Sequence, residues 1–105
     1  MQDIIEKLKQ FRDERDWNQF HTPENLAKSV VLESAELLEN FQWGSQHADK
    51  ENIKEELADI VGYALLMCDH YGFDLKEILN EKIKKNNAKY PVNKAYGTSK
   101  KYNKL

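Results

Sequence analysis

The sequence predicts an all-α protein, a four-helix bundle, on three observations. Apolar side chains recur at helical spacing through four segments. No stretch alternates apolar and polar residues as a half-buried strand would. Pro23, Gly44, Gly72 and Pro91 fall between the periodic segments, where helices should begin and end.

Residues 2–16 carry Ile4, Ile5, Leu8 and Phe11 among charged residues, which predicts an amphipathic helix. Trp17 to His21 reads as a connector. Thr22-Pro23-Glu24 is a helix start: the threonine can cap, proline suits the first turn, and the acid favours the positive helix end. This second helix is expected to run to about Gln42, with Leu26, Val30, Leu37, Leu38 and Phe41 as its apolar stripe and Gly44 as its stop. A third helix is expected from about Lys50 to His70, started near Asp49, with Ile53, Leu57, Ile60, Ala64, Leu65 and Cys68 facing the core. Gly72 ends it. Asp74 caps a fourth helix, Leu75 to about Ala88, with Leu75, Ile78, Leu79 and Ile83 inward. Residues 92–105 show no periodicity and read as a polar, basic C-terminal arm after a single domain spanning 1–91.

The chain has 105 residues, 40% hydrophobic and 32% charged, which fits one water-soluble domain and neither a disordered tail nor a fibre. No apolar run reaches the ~18–20 residues of a membrane helix. The N-terminal residues do not predict a secretory leader. Cys68 is the only cysteine, so no intrachain disulfide is possible and a reducing cytoplasm is the expected location. A chain this short buries only roughly 60–70% of its unfolded surface, which makes a homo-oligomer an expectation. The net charge of -2 hides an asymmetry: residues 1–75 hold 16 acids and 7 bases, whereas residues 76–105 hold 2 acids and 9 lysines. An acidic body suits cations and a lysine-rich end suits polyanions, although such an end can equally be simply solvated. With the bases confined to one end, neither nucleic acid nor membrane is an expected partner.

The informative residues are polar ones beside the apolar stripes. Glu33, Glu36, Asn40 and Trp43 follow one face at i, i+3, i+7 and i+10, with Glu39 close by. Glu56, Asp59 and Tyr63 follow another at i, i+3 and i+7. Glu33 and Asp59 adjoin the apolar Leu32 and Ile60, which places the stripes at the edge of the core. If the two helices pack antiparallel, four carboxylates converge. Two unit charges ~4 Å apart repel by about 4 kcal/mol at an effective dielectric of ~20, so protons or cations must neutralise such a group. Oxygen-only ligands suit hard cations, Mg²⁺ or Mn²⁺ first. No His falls three residues after a Glu, so the di-iron bundle signature is missing. The alternative is two ordinary solvated faces, with Lys50 and Lys54 as partners for nearby acids.

The pair Glu33-x-x-Glu36 followed by Glu56-x-x-Asp59 resembles the bipartite signature of the MazG-like nucleotide pyrophosphohydrolases, of the all-α nucleoside triphosphate pyrophosphatase superfamily. Further blocks are similar to the family in the same order: Arg15 to Leu26, Glu36 to Trp43, Glu55 to Ile60, and Lys82-x-x-x-Asn86-x-x-Lys89-Tyr90-Pro91. Within that family the sequence resembles the short dCTP pyrophosphatase-like enzymes. One departure is that Leu32 stands where the broader motif often has an acid.

The resemblance implies hydrolysis of a nucleoside triphosphate to the monophosphate and pyrophosphate with Mg²⁺. It implies Glu33, Glu36, Glu56 and Asp59 as metal ligands. Trp17, His21, Trp43 and Tyr63 would line a base and sugar pocket, and Lys82, Asn86 and Tyr90 would complete the site, from the same or a neighbouring subunit, with dimers or dimers of dimers as the assembly; on chemical grounds Lys82 or Lys89 can stabilise the departing pyrophosphate. On chemical grounds Glu33 or Glu36 can take a proton from water, and Glu39 can assist from outside the metal shell. A pyrimidine nucleotide such as dCTP is the expected substrate class. A phosphoribosyl nucleotide on the same scaffold is a variant reading, and a non-catalytic helical module that binds nucleotide or protein is the alternative. Outside the family pattern, Phe20, Phe41 and Trp43 can equally serve as core or interface anchors, Tyr63 as a buried tyrosine, and His21 as part of a cap. His47 and His70 read as surface residues.

Overall fold

A computed structural model describes all 105 residues, and every regular element in it is helical. The helices are α1 (Gln2–Glu14), α2 (Pro23–Glu39), α3 (Lys50–Tyr71), α4 (Leu75–Lys89) and a single turn, α5 (Val92–Ala95). Three 3-10 turns, Asn18–Phe20, Ser45–His47 and Tyr102–Lys104, join or end them. The chain divides into two compact units, Met1–Gly72 and Phe73–Leu105.

The helix starts follow from side-chain capping. Thr22 accepts from the Asn25 N–H, Asp49 from Glu51 and Asp74 from Glu77, so each start satisfies a backbone donor that the helix cannot. α3 stops at Gly72, whose φ of 71° is left-handed and suits a residue without Cβ. α1 ends at a less usual point: Asp16 takes a φ of 53°, a conformation that the short polar Asp tolerates. The Trp17 N–H then reaches back to the Arg12 carbonyl at 3.0 Å.

In the first unit α2 packs chiefly on α3, and α1 lies against α3. Ile5, Leu26, Leu65, Leu66 and Cys68 form the buried core. Each fully buried leucine contributes roughly 1.5–3 kcal/mol relative to exposure. Gly62 of α3 faces Leu8 of α1, and a Cβ there would meet the Leu8 Cδ2 at 3.8 Å, an ordinary contact. Asn40 ties the α2–α3 turn together. Its Nδ2 donates to Asn52 Oδ1 at 2.8 Å and its Oδ1 accepts from the Asp49 N–H at 3.1 Å.

Several expectations need correction. α2 ends at Glu39 rather than Gln42, because the chain leaves through successive tight turns (Phe41 N–H to Leu38 carbonyl, 2.9 Å) before Gly44 at φ 105°. Trp43 therefore lies beyond the helix and off its face, 75% exposed. Leu32, Leu38, Phe41 and Leu57 are exposed rather than core, as are Leu79 and Ile83 on α4. In the second unit, residues 92–105 are not without structure. α5 and the last 3-10 turn form there, the Tyr90 and Tyr102 rings meet edge-on at 6.3 Å, and the Lys89 ammonium lies 5.0 Å from the Tyr102 ring centre.

Candidate metal centre and adjoining cavity

α2 and α3 bring acids together from opposite sides of their packing line. Carboxylate oxygens of Glu33, Glu56 and Asp59 lie within 4.8 Å of one another. Glu56 is buried, Glu33 half-buried and Asp59 exposed, so the group runs from the interior to the surface. Glu36, one turn along α2, stands beside Glu33 and acts on it electrostatically. Glu39 is exposed at the end of α2.

The Glu33 carboxyl is pushed up to about 7. A hydrogen bond to Glu56 is the largest cause, followed by desolvation and by the Glu36 and Asp59 charges. Glu33 Oε2 and Glu56 Oε2 are sealed from solvent with no hydrogen-bond partner. Sealed, unpartnered acceptors are costly, and two of them beside a third carboxylate call for positive charge. An all-oxygen donor set of this kind fits a hard divalent cation.

A cavity of about 150 Å³ opens at Asp59, between α1 and α3. Trp17, His21 and Tyr63 line it, together with Arg12 and Phe11 of α1. The aromatic rings brace one another: Phe11 and Trp17 meet edge-on at 5.8 Å, and His21 and Tyr63 at 6.2 Å. The Arg15 guanidinium covers the Phe11 ring at 3.7 Å, which fixes the outer layer. Burial pushes the Tyr63 hydroxyl up, and the Glu33 and Asp59 charges add to it. His21 is pushed down, first by burial and then by the Arg12 charge, so its neutral form is favoured. Its Nδ1 is sealed without a partner.

Of the expected residues, the structure thus gathers Glu33, Glu56 and Asp59 with Glu36 alongside, and Trp17, His21 and Tyr63 around the adjoining cavity. Trp43 is not among those lining it. Lys82, Asn86, Lys89 and Tyr90 belong to the second unit. Arg12 and Phe11 were not singled out by the sequence. On an amphipathic helix they look like an ordinary surface charge and an ordinary core residue, and only the packing of α1 on α3 shows otherwise.

The MazG-like family model matches residues 28–105. The chain is 34% identical to dCTP pyrophosphatase 1 of Rattus norvegicus over 114 aligned positions, covering all of this chain and 67% of that protein. It is 33% identical, with the same coverage, to dCTP pyrophosphatase 1 of Homo sapiens. The crystal structure of a pyrophosphatase from Archaeoglobus fulgidus DSM 4304 superimposes with a TM-score of 0.82 at 39% identity, over 87% of this chain and 92% of that one. The fold and its paired acids therefore define an all-α nucleotide pyrophosphohydrolase. The chain belongs to the MazG-like family, and within it is similar to the dCTP pyrophosphatases. No helix is long and apolar enough to cross a membrane.

Proposed function

We propose that the protein hydrolyses a (deoxy)nucleoside triphosphate, with a pyrimidine nucleotide such as dCTP as its substrate, to the monophosphate and pyrophosphate, using Mg²⁺ or, in its place, Mn²⁺. The observation that carries this reading is the carboxylate cluster of Glu33, Glu56 and Asp59, with its two sealed oxygens, whose Asp59 also lines an aromatic cavity. The curated relatives named above, dCTP pyrophosphatases by name, support the substrate.

Glu33, Glu36, Glu56 and Asp59 would hold the cation. When bound it offsets the negative charge of both acids and triphosphate and polarises the scissile phosphoryl group. Glu33 or Glu36 takes the proton of the attacking water, and Glu39 assists from the end of α2. Trp17 and Tyr63 hold the base and sugar by stacking and through the Tyr63 hydroxyl, and His21 offers one neutral ring nitrogen. Trp43, exposed beyond α2, is a further stacking candidate. Lys82 and Lys89, with Asn86 and Tyr90, contributed within the chain or by a neighbouring subunit, would supply positive and polar groups to the departing pyrophosphate.

The domain spans residues 1–91, with 92–105 as its basic extension. Apolar side chains left exposed on one protomer, Val31, Leu32 and Leu38 among them, support a homodimer or a dimer of dimers. The biological role that fits is housecleaning of the nucleotide pool. Buried Cys68, the one cysteine of the sequence, accords with a reducing compartment such as the cytoplasm.

A pyrophosphate-release screen over canonical and modified triphosphates, with Mg²⁺ and with chelator, tests the reading. Release from dCTP that requires the divalent ion is expected. Release that persists in chelator, or no release from any triphosphate, would refute it.

A further inference from the structure

Arg12 is the one cation on the wall of the aromatic cavity. Its side chain is only 14% exposed. The Nε donates to Asp13 Oδ1 at 2.8 Å, and neither terminal amino group makes a hydrogen bond within the chain. A guanidinium has five N–H donors and no acceptor, so four donors remain. The terminal nitrogens are not among the sealed polar atoms, which leaves them open to what fills the space around them. The bond to Asp13 holds the fork in place. Arg12 and His21 also line a more polar cavity of about 260 Å³ bounded by Lys9, Asp69 and His70, and the Asp69 charge acts on Arg12 from that side.

On the reading of the acids given above, a ligand in this cavity is oriented. Its phosphates sit towards Asp59, and its base lies among Trp17, His21 and Arg12. A space of about 150 Å³ is on the scale of a cavity that accepts one benzene-sized ring. A donor-only fork beside a single-ring base discriminates by its acceptors. Cytosine presents two adjacent acceptors, O2 and N3. Uracil and thymine present O2 beside an N3–H, which sets donor against donor.

Resting on that reading of the site, we propose that Arg12 is a specificity-determining residue whose guanidinium reads the adjacent O2 and N3 acceptors of a cytosine-type base. Bidentate contacts of this type discriminate between bases by about tenfold or more. Lysine at this position keeps the charge but has no planar fork.

The test measures binding of dCMP and dUMP with Mg²⁺ by titration calorimetry, beside pyrophosphate release from dCTP and dUTP. The wild type is expected to prefer the cytosine nucleotide at least tenfold. Arg12→Lys, with helix content unchanged by circular dichroism, is expected to bring the ratio near one by weakening dCMP alone. Arg12→Ala is expected to do the same. A wild type without base preference, a Lys variant that keeps the preference, or variants that weaken both nucleotides equally would each overturn the proposal. Because binding is read apart from turnover, the two readings separate. Base preference lost on Arg12→Lys without any triphosphate hydrolysis supports the role of Arg12 and refutes the hydrolase. Hydrolysis without base preference does the reverse.

Discussion

The carboxylates of Glu33 on α2 and Glu56 on α3 come within 4.8 Å of one another, and each has an oxygen sealed and unpartnered. The pairing sets two acidic groups against each other across the packing of α2 on α3. It is sustained only while Glu33 holds its proton or a cation takes the proton's place. Removing one acid should therefore act oppositely on stability and on catalysis. Glu56→Gln keeps the shape but replaces a buried acid by a neutral amide. Its melting temperature in chelator at pH 8 should rise by a few degrees. Mg²⁺ should no longer raise it further, and turnover should fall at least ~100-fold, a loss of about 2.7 kcal/mol in transition-state stabilisation. Thermal scans with and without Mg²⁺, beside a pyrophosphate assay, check this. An active Glu56→Gln variant would be incompatible with the assigned cluster.

The raised Glu33 value fixes the sign of a pH effect. The folded chain holds this proton up to about pH 7, whereas the unfolded chain releases it near 4.5. The resulting stabilisation is complete below about 4.5 and is lost as pH rises through 7. Metal-free wild type should thus lose stability between pH 5 and 8 relative to Glu33→Gln, whose curve lacks this component. Cation binding must expel the same proton. Titration with Mg²⁺ at pH 6.5 in buffers of different ionisation enthalpy should therefore reveal proton release, and Glu33→Gln should abolish it.

Asn40 shares the helical spacing of the acids but has a structural task. It bridges the Asn52 side chain and the Asp49 backbone, closing the turn that sets the α2–α3 register. Asn40→Ala leaves a part-buried acceptor and a backbone donor unmatched, at a cost of about 1–3 kcal/mol. Chemical denaturation should show a lower midpoint. The Mg²⁺ affinity should weaken as well, since the turn positions Glu56 against Glu33.

These cases show what the sequence makes legible. Helix starts are local chemistry, and Thr22, Asp49 and Asp74 cap as their positions suggest. The acids at 33, 56 and 59 are legible because helical spacing fixes a face and the short α2–α3 connection sets the two faces together. Glu36 falls outside the group of three but acts on Glu33 from one turn along α2. Periodicity marks which face is apolar but not what covers it, which is why Leu38, Leu57 and Ile83 are exposed in one protomer. Arg12 was illegible for a related reason. Its surroundings, His21 and Leu66, come from α3 and the Trp17–His21 connector, and no local pattern links them to it.

Trp17 separates recognition from chemistry. Its ring stands edge-on to Phe11, its N–H backbone is tied to the Arg12 carbonyl, and it borders the cavity that opens at Asp59. None of these contacts reaches the acids at 33 and 56. Trp17→Ala should therefore raise KM for the triphosphate by roughly 5- to 150-fold, the range expected for loss of about 1–3 kcal/mol of base stacking. It should change kcat far less, because ground state and transition state lose the same contact. Tyr63→Phe probes the other wall: it keeps the ring but removes the hydroxyl close to Glu33 and Asp59, so its effect should fall on kcat as well. Steady-state kinetics on both variants decide the matter, with quenching of Trp17 fluorescence by nucleotide as an independent reading of occupancy. If Trp17→Ala lowers kcat with KM unchanged, the cavity is not where the base rests.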